Sequence, residues 1–149
     1  MNFLILFKCD KLVTLPDLHK LRSLQRLEII TCRKVRAFRE PFGEEGAFSS
    51  LKIFSLVRLE KLEKLPEIKD GAMPSLQMFT IMECPLLEKL SVGYLKLKTL
   101  QKFRIYSCPK LVEVVENWKE VKEPNTRNLV KLMSIRDTEE IKSGISSYV

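Results

Sequence analysis

Apolar residues recur along the chain with a fixed internal spacing. In the segment from Leu24 to Val35 they fall at offsets 0, 3, 5, 8 and 11, and offset 8 is often a cysteine. Regular self-similarity of this kind predicts a solenoid in which each turn stacks on the next. The copies of this frame start at Met1, Leu24, Leu51, Leu76, Leu100 and, with a weaker match, Val130.

The spacing of the copies defines the kind of solenoid. Successive offset-8 positions (9, 32, 59, 84, 108 and 138) are separated by 23, 27, 25, 24 and 30 residues. All but the last interval lie in the ~20–29-residue range of leucine-rich repeats, and the last predicts an insertion. Offsets 3 and 5, which are Leu27 and Ile29 in the second copy, lie two residues apart and so share one face of a short strand.

The fold class that we predict is α/β, a leucine-rich-repeat solenoid of about six repeats that forms one domain over residues 1–149. Short parallel β-strands would line its concave face, and loops with short helical turns its convex face. Apolar residues at helical intervals from Leu111 to Val121 predict a convex helix over residues 111–123. The apolar run Phe3–Phe7 is too short for a secretory signal and is interpreted as a strand.

The strand residues that alternate with the core leucines are predicted to face away from the core and to form a protein-binding surface. Its middle is apolar and carries methionines, and one flank is basic and aromatic, a composition that suits protein interfaces. Exposed strands also favour apolar residues for their β-propensity alone, so the binding role competes with a purely structural one. The candidate residues are Arg26, Glu28, Ile30, Ile53, Ser55, Val57, Met78, Thr80, Met82, Lys102, Arg104, Tyr106 and Arg136.

Composition and charge favour a binding module over an enzyme. The 149 residues are 45% hydrophobic and 30% charged, which is ordinary for a folded domain. The net charge of +7 divides into +3, +2 and +2 over residues 1–50, 51–100 and 101–149. Nucleic-acid binding usually needs clustered positive charge, so this even distribution argues against it. No segment approaches the ~18 apolar residues of a membrane span.

The cysteines and the single histidine give no catalytic, cofactor or metal site. Cys9, Cys32, Cys84 and Cys108 are separated by 23, 52 and 24 residues, far from the close pairs that zinc sites use. Each occupies the same repeat position, so we interpret them as small buried residues after the strand. His19 is interpreted as a surface or capping residue. The cysteine usage predicts a reducing, cytoplasmic location.

The repeat resembles a known family. Its form, L-x-x-[LF]-x-I-x-x-C-P-x-L-x-x-[LV], includes the Cys84-Pro85 and Cys108-Pro109 pairs, and two copies close with Leu15-Pro16 and Leu65-Pro66. This is similar to the leucine-rich repeats of plant nucleotide-binding disease-resistance proteins of the coiled-coil type. The sequence contains no G-x-x-x-x-G-K-[S/T] loop, so we expect neither ATP binding nor hydrolysis.

The resemblance implies a non-enzymatic recognition module of plant innate immunity. Its partner would be a pathogen effector, a guarded host protein or the nucleotide-binding domain of a parent receptor. The chain would be a fragment of a longer solenoid, and the alternative is a truncated paralogue that acts as a scaffold or decoy. The apolar strand at the N-terminal edge lacks the polar cap that solenoids need, so we also expect self-association there.

Overall fold

Short parallel strands stack into one six-stranded sheet. The computed structural model describes residues 2–39, 42–88 and 90–111 and the strand at 133–136. The strands of the sheet lie in chain order and every adjacent pair is parallel. They are β1 (Phe3–Phe7), β3 (Arg26–Ile30), β5 (Ile53–Val57), β6 (Met78–Met82), β7 (Lys102–Tyr106) and β8 (Met133–Arg136).

The register of the sheet follows the sequence repeat. Leu27 pairs with Leu4 on one side and with Phe54 on the other, and these three residues occupy offset 3 of successive copies. A second, two-stranded parallel ladder joins β2 (Thr14–Leu15) to β4 (Ala37–Phe38). The described chain therefore forms a parallel β-solenoid with four complete turns between β1 and β7, which confirms the predicted stacking of short parallel strands. The predicted number of about six repeats is not confirmed, because only these four turns are complete in the part of the chain that the structure describes.

The core is built from the two inward positions of each strand. Leu27 and Ile29 are fully buried, as are Leu56 and Ile81. Removing each such side chain from water stabilises the fold by about 1.5–3 kcal/mol. A single turn cannot obtain this gain alone, because its apolar face is covered only by the turns beside it.

Aromatic rings form the middle of this core. The rings of Phe54 and Phe79 stack with centroids 5.0 Å apart and an interplanar angle of 6°. Phe79 also meets Phe103 at 5.1 Å and Tyr94 at 5.4 Å. The hydroxyl of Tyr94 donates a hydrogen bond to the carbonyl of Pro66 at 2.7 Å, so its burial leaves no unpaired donor. One residue, Phe79, thus joins three turns of the solenoid.

The residue that follows each of the five-residue strands β1, β3, β5, β6 and β7 adopts a left-handed backbone. Lys8, Thr31, Arg58, Glu83 and Ser107 have φ between 49° and 56°. The amide of each of the first four donates to the last carbonyl of the next strand, at 2.8–3.0 Å. This shared turn extends the ladder by one hydrogen bond per turn and directs the following residue back into the core. We call these five residues the turn row.

The described residues differ from the prediction in their helix content. The described residues contain little helix, chiefly one 3₁₀ segment at Val92–Lys96, so a β-solenoid describes them and the predicted α/β class does not. Turns and extended segments form the side opposite the sheet. The helix predicted over residues 111–123 lies, beyond Leu111, outside the described residues.

Replacing Phe79 with alanine tests the aromatic core. We expect Phe79→Ala to lower the free energy of unfolding by about 3–5 kcal/mol, because it opens a cavity between three turns. Urea denaturation measured by circular dichroism gives this value. Phe79→Leu, which keeps most of the volume, is the matched control and should lose clearly less. A loss below about 1 kcal/mol for Phe79→Ala would contradict the central place of this ring.

Candidate interaction face

The outer face of the sheet carries three rows of side chains. Successive strand residues point to opposite faces, and the in-register pairing aligns the outward ones across the strands. The first row is Phe3, Arg26, Ile53, Met78 and Lys102. The middle row is Ile5, Glu28, Ser55, Thr80, Arg104 and the Ser134 position. The third row is Phe7, Ile30, Val57, Met82, Tyr106 and the Arg136 position.

The middle row is polar between β3 and β8. Ser55 and Thr80 are short side chains with 2% and 5% exposure, so they form the floor of the face between longer neighbours. Glu28 precedes them and Arg104 follows them along the row. Strands in a sheet lie about 4.8 Å apart, which puts the backbones of Glu28 and Arg104 about 14 Å from each other. A polar strip with an acid at one end and a base at the other therefore crosses the sheet.

The third row contains a second apolar cluster, separate from the main core. Ile30, Val57 and Met82 have 5%, 1% and 2% exposure and pack with Tyr106. These three residues, like Ser55 and Thr80, therefore offer a partner little accessible surface, and their role in protein binding stays a prediction. These outward side chains are buried because strands lie only about 4.8 Å apart, so long side chains cover each other and the short ones between them.

The accessible candidates lie in the first row, on β7 and at Glu28 in the middle row. Lys102 is exposed, and Arg104 and Tyr106 beside it are half-buried. The structure thus brings the predicted basic and aromatic flank together on one strand. Arg136 lies on β8 opposite Tyr106, and its side chain falls outside the described residues. The remaining half-buried candidates are Arg26, Glu28, Ile53 and Met78.

The turn row borders this face and was not foreseen from the sequence. Its side chains include an ion pair in which Arg58 Nε donates to Glu83 Oε2 at 2.6 Å, linking two adjacent turns. Large residues such as arginine rarely adopt positive φ, so composition gave no reason to expect a left-handed turn there. A polar residue stands one place before each of the offset-8 positions 9, 32, 59, 84 and 108, and this regularity is the signal that could have located the turn.

The four cysteines are free thiols, and the buried ones donate hydrogen bonds to the strand that precedes them. Cys84 and Cys108 donate to the carbonyls two residues before them, at 3.5 Å and 3.2 Å, and Cys32 does the same at 3.6 Å. A hydrogen bond with Cys108, together with burial, raises the pKa of the Cys84 thiol well above its ordinary value. The same hydrogen bond lowers the pKa of Cys108, and burial raises that of Cys32.

Within the described ranges, no group of three or more His, Cys, Asp and Glu side chains is arranged to hold a metal ion. His19, expected to be a surface or capping residue, is half-buried, and its Nδ1 pairs with a carboxylate oxygen of Asp17. None of the helical segments described here combines the length and apolar character that a membrane crossing needs.

Comparisons with protein-family models, with curated proteins and with solved structures gave no match for this chain.

A double-mutant cycle tests whether the Arg58–Glu83 pair stabilises the border of the face. With side chains about one third exposed, the pair is partly screened by solvent. We expect a coupling of about 0.5–1 kcal/mol from Arg58→Gln, Glu83→Gln and the double variant, measured by urea denaturation and reduced in about 1 M salt.

The Arg33–Glu60 pair is the matched control for that cycle. Its atoms lie 3.9 Å apart and its side chains are 64% and 58% exposed, so we expect no measurable coupling. Equal coupling energies for the two pairs would contradict the prediction that the shorter, less exposed contact between Arg58 and Glu83 is the more stabilising of the two.

Thiol labelling tests the assignment of the cysteines. Cys9 is half-buried, whereas the other three are buried, so Ellman's reagent should modify one thiol rapidly in the native protein and three only on unfolding. Cys9→Ser should remove the rapid phase, because reactivity requires access as well as thiolate. Rapid native labelling of Cys84 or Cys108 would be inconsistent with the packing described.

Proposed function

We propose that this chain is a leucine-rich-repeat module that recognises a protein through the outer face of its sheet, as in plant innate-immunity receptors. The family assignment rests on the repeat itself, with its Leu, Ile and Cys-Pro positions. The in-register parallel strands are what such a repeat requires. The inward thiols, each bonded to a strand carbonyl, give a physical reason for cysteine at offset 8.

The observation that carries the binding role is the accessible strip on β7. Lys102, Arg104 and Tyr106 stand on a strand whose backbone is fixed by neighbours on both sides, so little conformational freedom is lost on binding. Arginine and tyrosine are enriched among the residues that dominate interface energies. We infer a protein partner that presents acidic side chains to this strip and an apolar group to Met78 in the first row.

The proposed activity is recognition without catalysis, in the cytoplasm. Four free thiols suit a reducing compartment, where disulfides are rare. The six strands are spaced at about 4.8 Å and most of them are five residues, or about 16 Å, long. They give a face of about 400 Å², against about 800 Å² per partner in a standard interface. We therefore expect weak binding by this face alone, strengthened where the partner also reaches the turn row.

A charge reversal on β7 tests the proposal. A two-hybrid screen against secreted pathogen proteins and host proteins would supply partners, and biolayer interferometry would measure their affinities. We expect Arg104→Glu to weaken binding of a true partner about tenfold or more, because the change opposes the partner's charge at the centre of the strip.

Lys61→Glu is the matched control, because it makes the same charge change at an exposed turn after β5. It should bind as the unaltered chain does, with both variants unfolding at the same temperature by circular dichroism. Partners that bind Arg104→Glu as tightly as the unaltered chain would refute a role for this face. Nucleic-acid binding with a steep salt dependence would point to a different function.

A further inference from the structure

A lysine occupies the same position in almost every turn of the solenoid. Two places after offset 8, the first five copies of the repeat have Lys11, Lys34, Lys61, Leu86 and Lys110, and all five side chains are exposed. We call these five residues the lysine row. Its members are separated by 23–27 residues in the sequence, so a search for neighbouring charges along the chain does not find them.

The same backbone turn positions each member of the row. In the first four copies, the amide three places after offset 8 donates to the offset-8 carbonyl at 3.1–3.4 Å, as Leu12 does to Cys9. This hydrogen bond closes a β-turn whose third residue belongs to the lysine row. The turns follow directly on strands that lie about 4.8 Å apart, so the members of the row stand side by side about 5 Å from one another.

The fold thereby converts an even charge distribution into a local one. The two central positions of these five turns comprise ten residues, of which five are basic and two are acidic. Their net charge of +3 is almost half of the +7 of the whole chain. One of the two acids, Glu60, lies 3.9 Å from Arg33. Charge that is evenly spaced along the sequence is therefore clustered in space, because stacked repeats align equivalent residues.

The lysines of the row are available to a partner's charges. In the part of the chain that the structure describes, Lys11, Lys34 and Lys61 take part in no ion pair. Leu86, which is 36% exposed, replaces the charge with an apolar side chain at one position. The row thus presents three bases, one apolar group and one further base in order along the solenoid axis.

An α-helix matches the spacing of this row. Helix residues at i, i+4, i+7, i+11 and i+14 lie along one face and cover about 21 Å. The row covers about 20 Å, which is four strand spacings from Lys11 to Lys110. An extended strand repeats its side chains on one face every ~6.7 Å, so after about three positions it is one lysine out of register.

The surroundings of the row favour a protein over a nucleic acid. Single-stranded nucleic acids are bound by aromatic side chains that stack on the bases beside a basic groove. The ten residues of these turns include no aromatic side chain, and Leu86 and Lys110 each follow a proline. An apolar residue between charges instead suits a helix that alternates acidic and apolar groups on one face.

We propose that the lysine row binds an acidic α-helix of a protein partner, which lies along the solenoid axis across the ends of the strands. Acidic residues at i, i+4 and i+7 of the helix pair with Lys11, Lys34 and Lys61. An apolar residue at i+11 packs on Leu86, and an acidic residue at i+14 faces Lys110. This surface lies beyond the turn row and is separate from the outer face of the sheet, so it does not depend on the proposed function.

A designed peptide tests the proposal. The probe is a fluorescein-labelled helical peptide with glutamates at i, i+4, i+7 and i+14 and leucine at i+11, and fluorescence anisotropy measures its binding to the full chain. Exposed ion pairs are individually weak and are screened by salt, so we expect micromolar binding at low ionic strength that weakens as salt is added. A peptide of the same composition with its glutamates distributed around the helix should bind at least about tenfold more weakly. Equal binding of the two peptides would overturn the proposal.

Charge reversal at the centre of the row locates the site. Lys61→Glu places a like charge against the helix and should weaken peptide binding at least about tenfold. Lys52→Glu is the matched control, because it makes the same change at an exposed position before β5, and it should bind within about twofold of the unaltered chain. Circular dichroism should show the same unfolding temperature for both variants. Equal weakening by the two variants would exclude the row as the binding site.

The outer face and the lysine row can be tested independently. Arg104→Glu should leave peptide binding unchanged, although it weakens the recognition proposed for the outer face. Lys61→Glu should show the reverse behaviour. Loss of peptide binding in Arg104→Glu would place the peptide on the outer face and contradict a separate site.

Leu86 tests the order of groups along the row. The unaltered chain should prefer the peptide with leucine at i+11 over one with glutamate there. Leu86→Lys should reverse this preference, because it continues the row of charges. An unchanged preference in Leu86→Lys would contradict the proposed register.

Other polyanions provide the final comparison. Oligo-dT and vesicles that contain phosphatidylserine should bind more weakly than the designed peptide. Tighter binding of either one, again lost in Lys61→Glu, would make a nucleic acid or a membrane surface the occupant of the row and would overturn the proposal.

Discussion

The whole structure depends on one constraint: no turn of this solenoid can bury its own apolar face. Each strand turns only two side chains inward, such as Leu56 and Phe54 on β5, and those are covered by the turns before and after. Because the parallel pairing keeps equivalent positions side by side, like side chains stack into ladders. The shared left-handed turn then returns the chain to the same place in every repeat.

The in-register pairing that aligns the core residues also determines which side chains of the outer face are buried and which are accessible. Alternation sends every second residue outward, and the spacing between strands is too small for long side chains to remain separate. Val57 and Met82 therefore bury each other, while Ser55 and Thr80 become a polar floor. Accessible side chains remain on β7, in the first row and at Glu28, so the proposed recognition surface is a strip at one side of the face.

Stacking also explains why the edges of the sheet differ from its middle. An interior strand satisfies its backbone and its side chains with two neighbours, whereas β1 satisfies them with one.

The sequence alone determined the repeat, its register and the inward residues, because a fixed apolar spacing has one simple solution in parallel strands. It also located the outward residues on one face. It could not determine which of them are accessible, since the burial of Met82 or Thr80 depends on neighbours about 25 residues away. The left-handed turns, the Arg58–Glu83 contact and the hydrogen bond between Cys84 and Cys108 were likewise decided by tertiary structure, because each joins residues from successive turns.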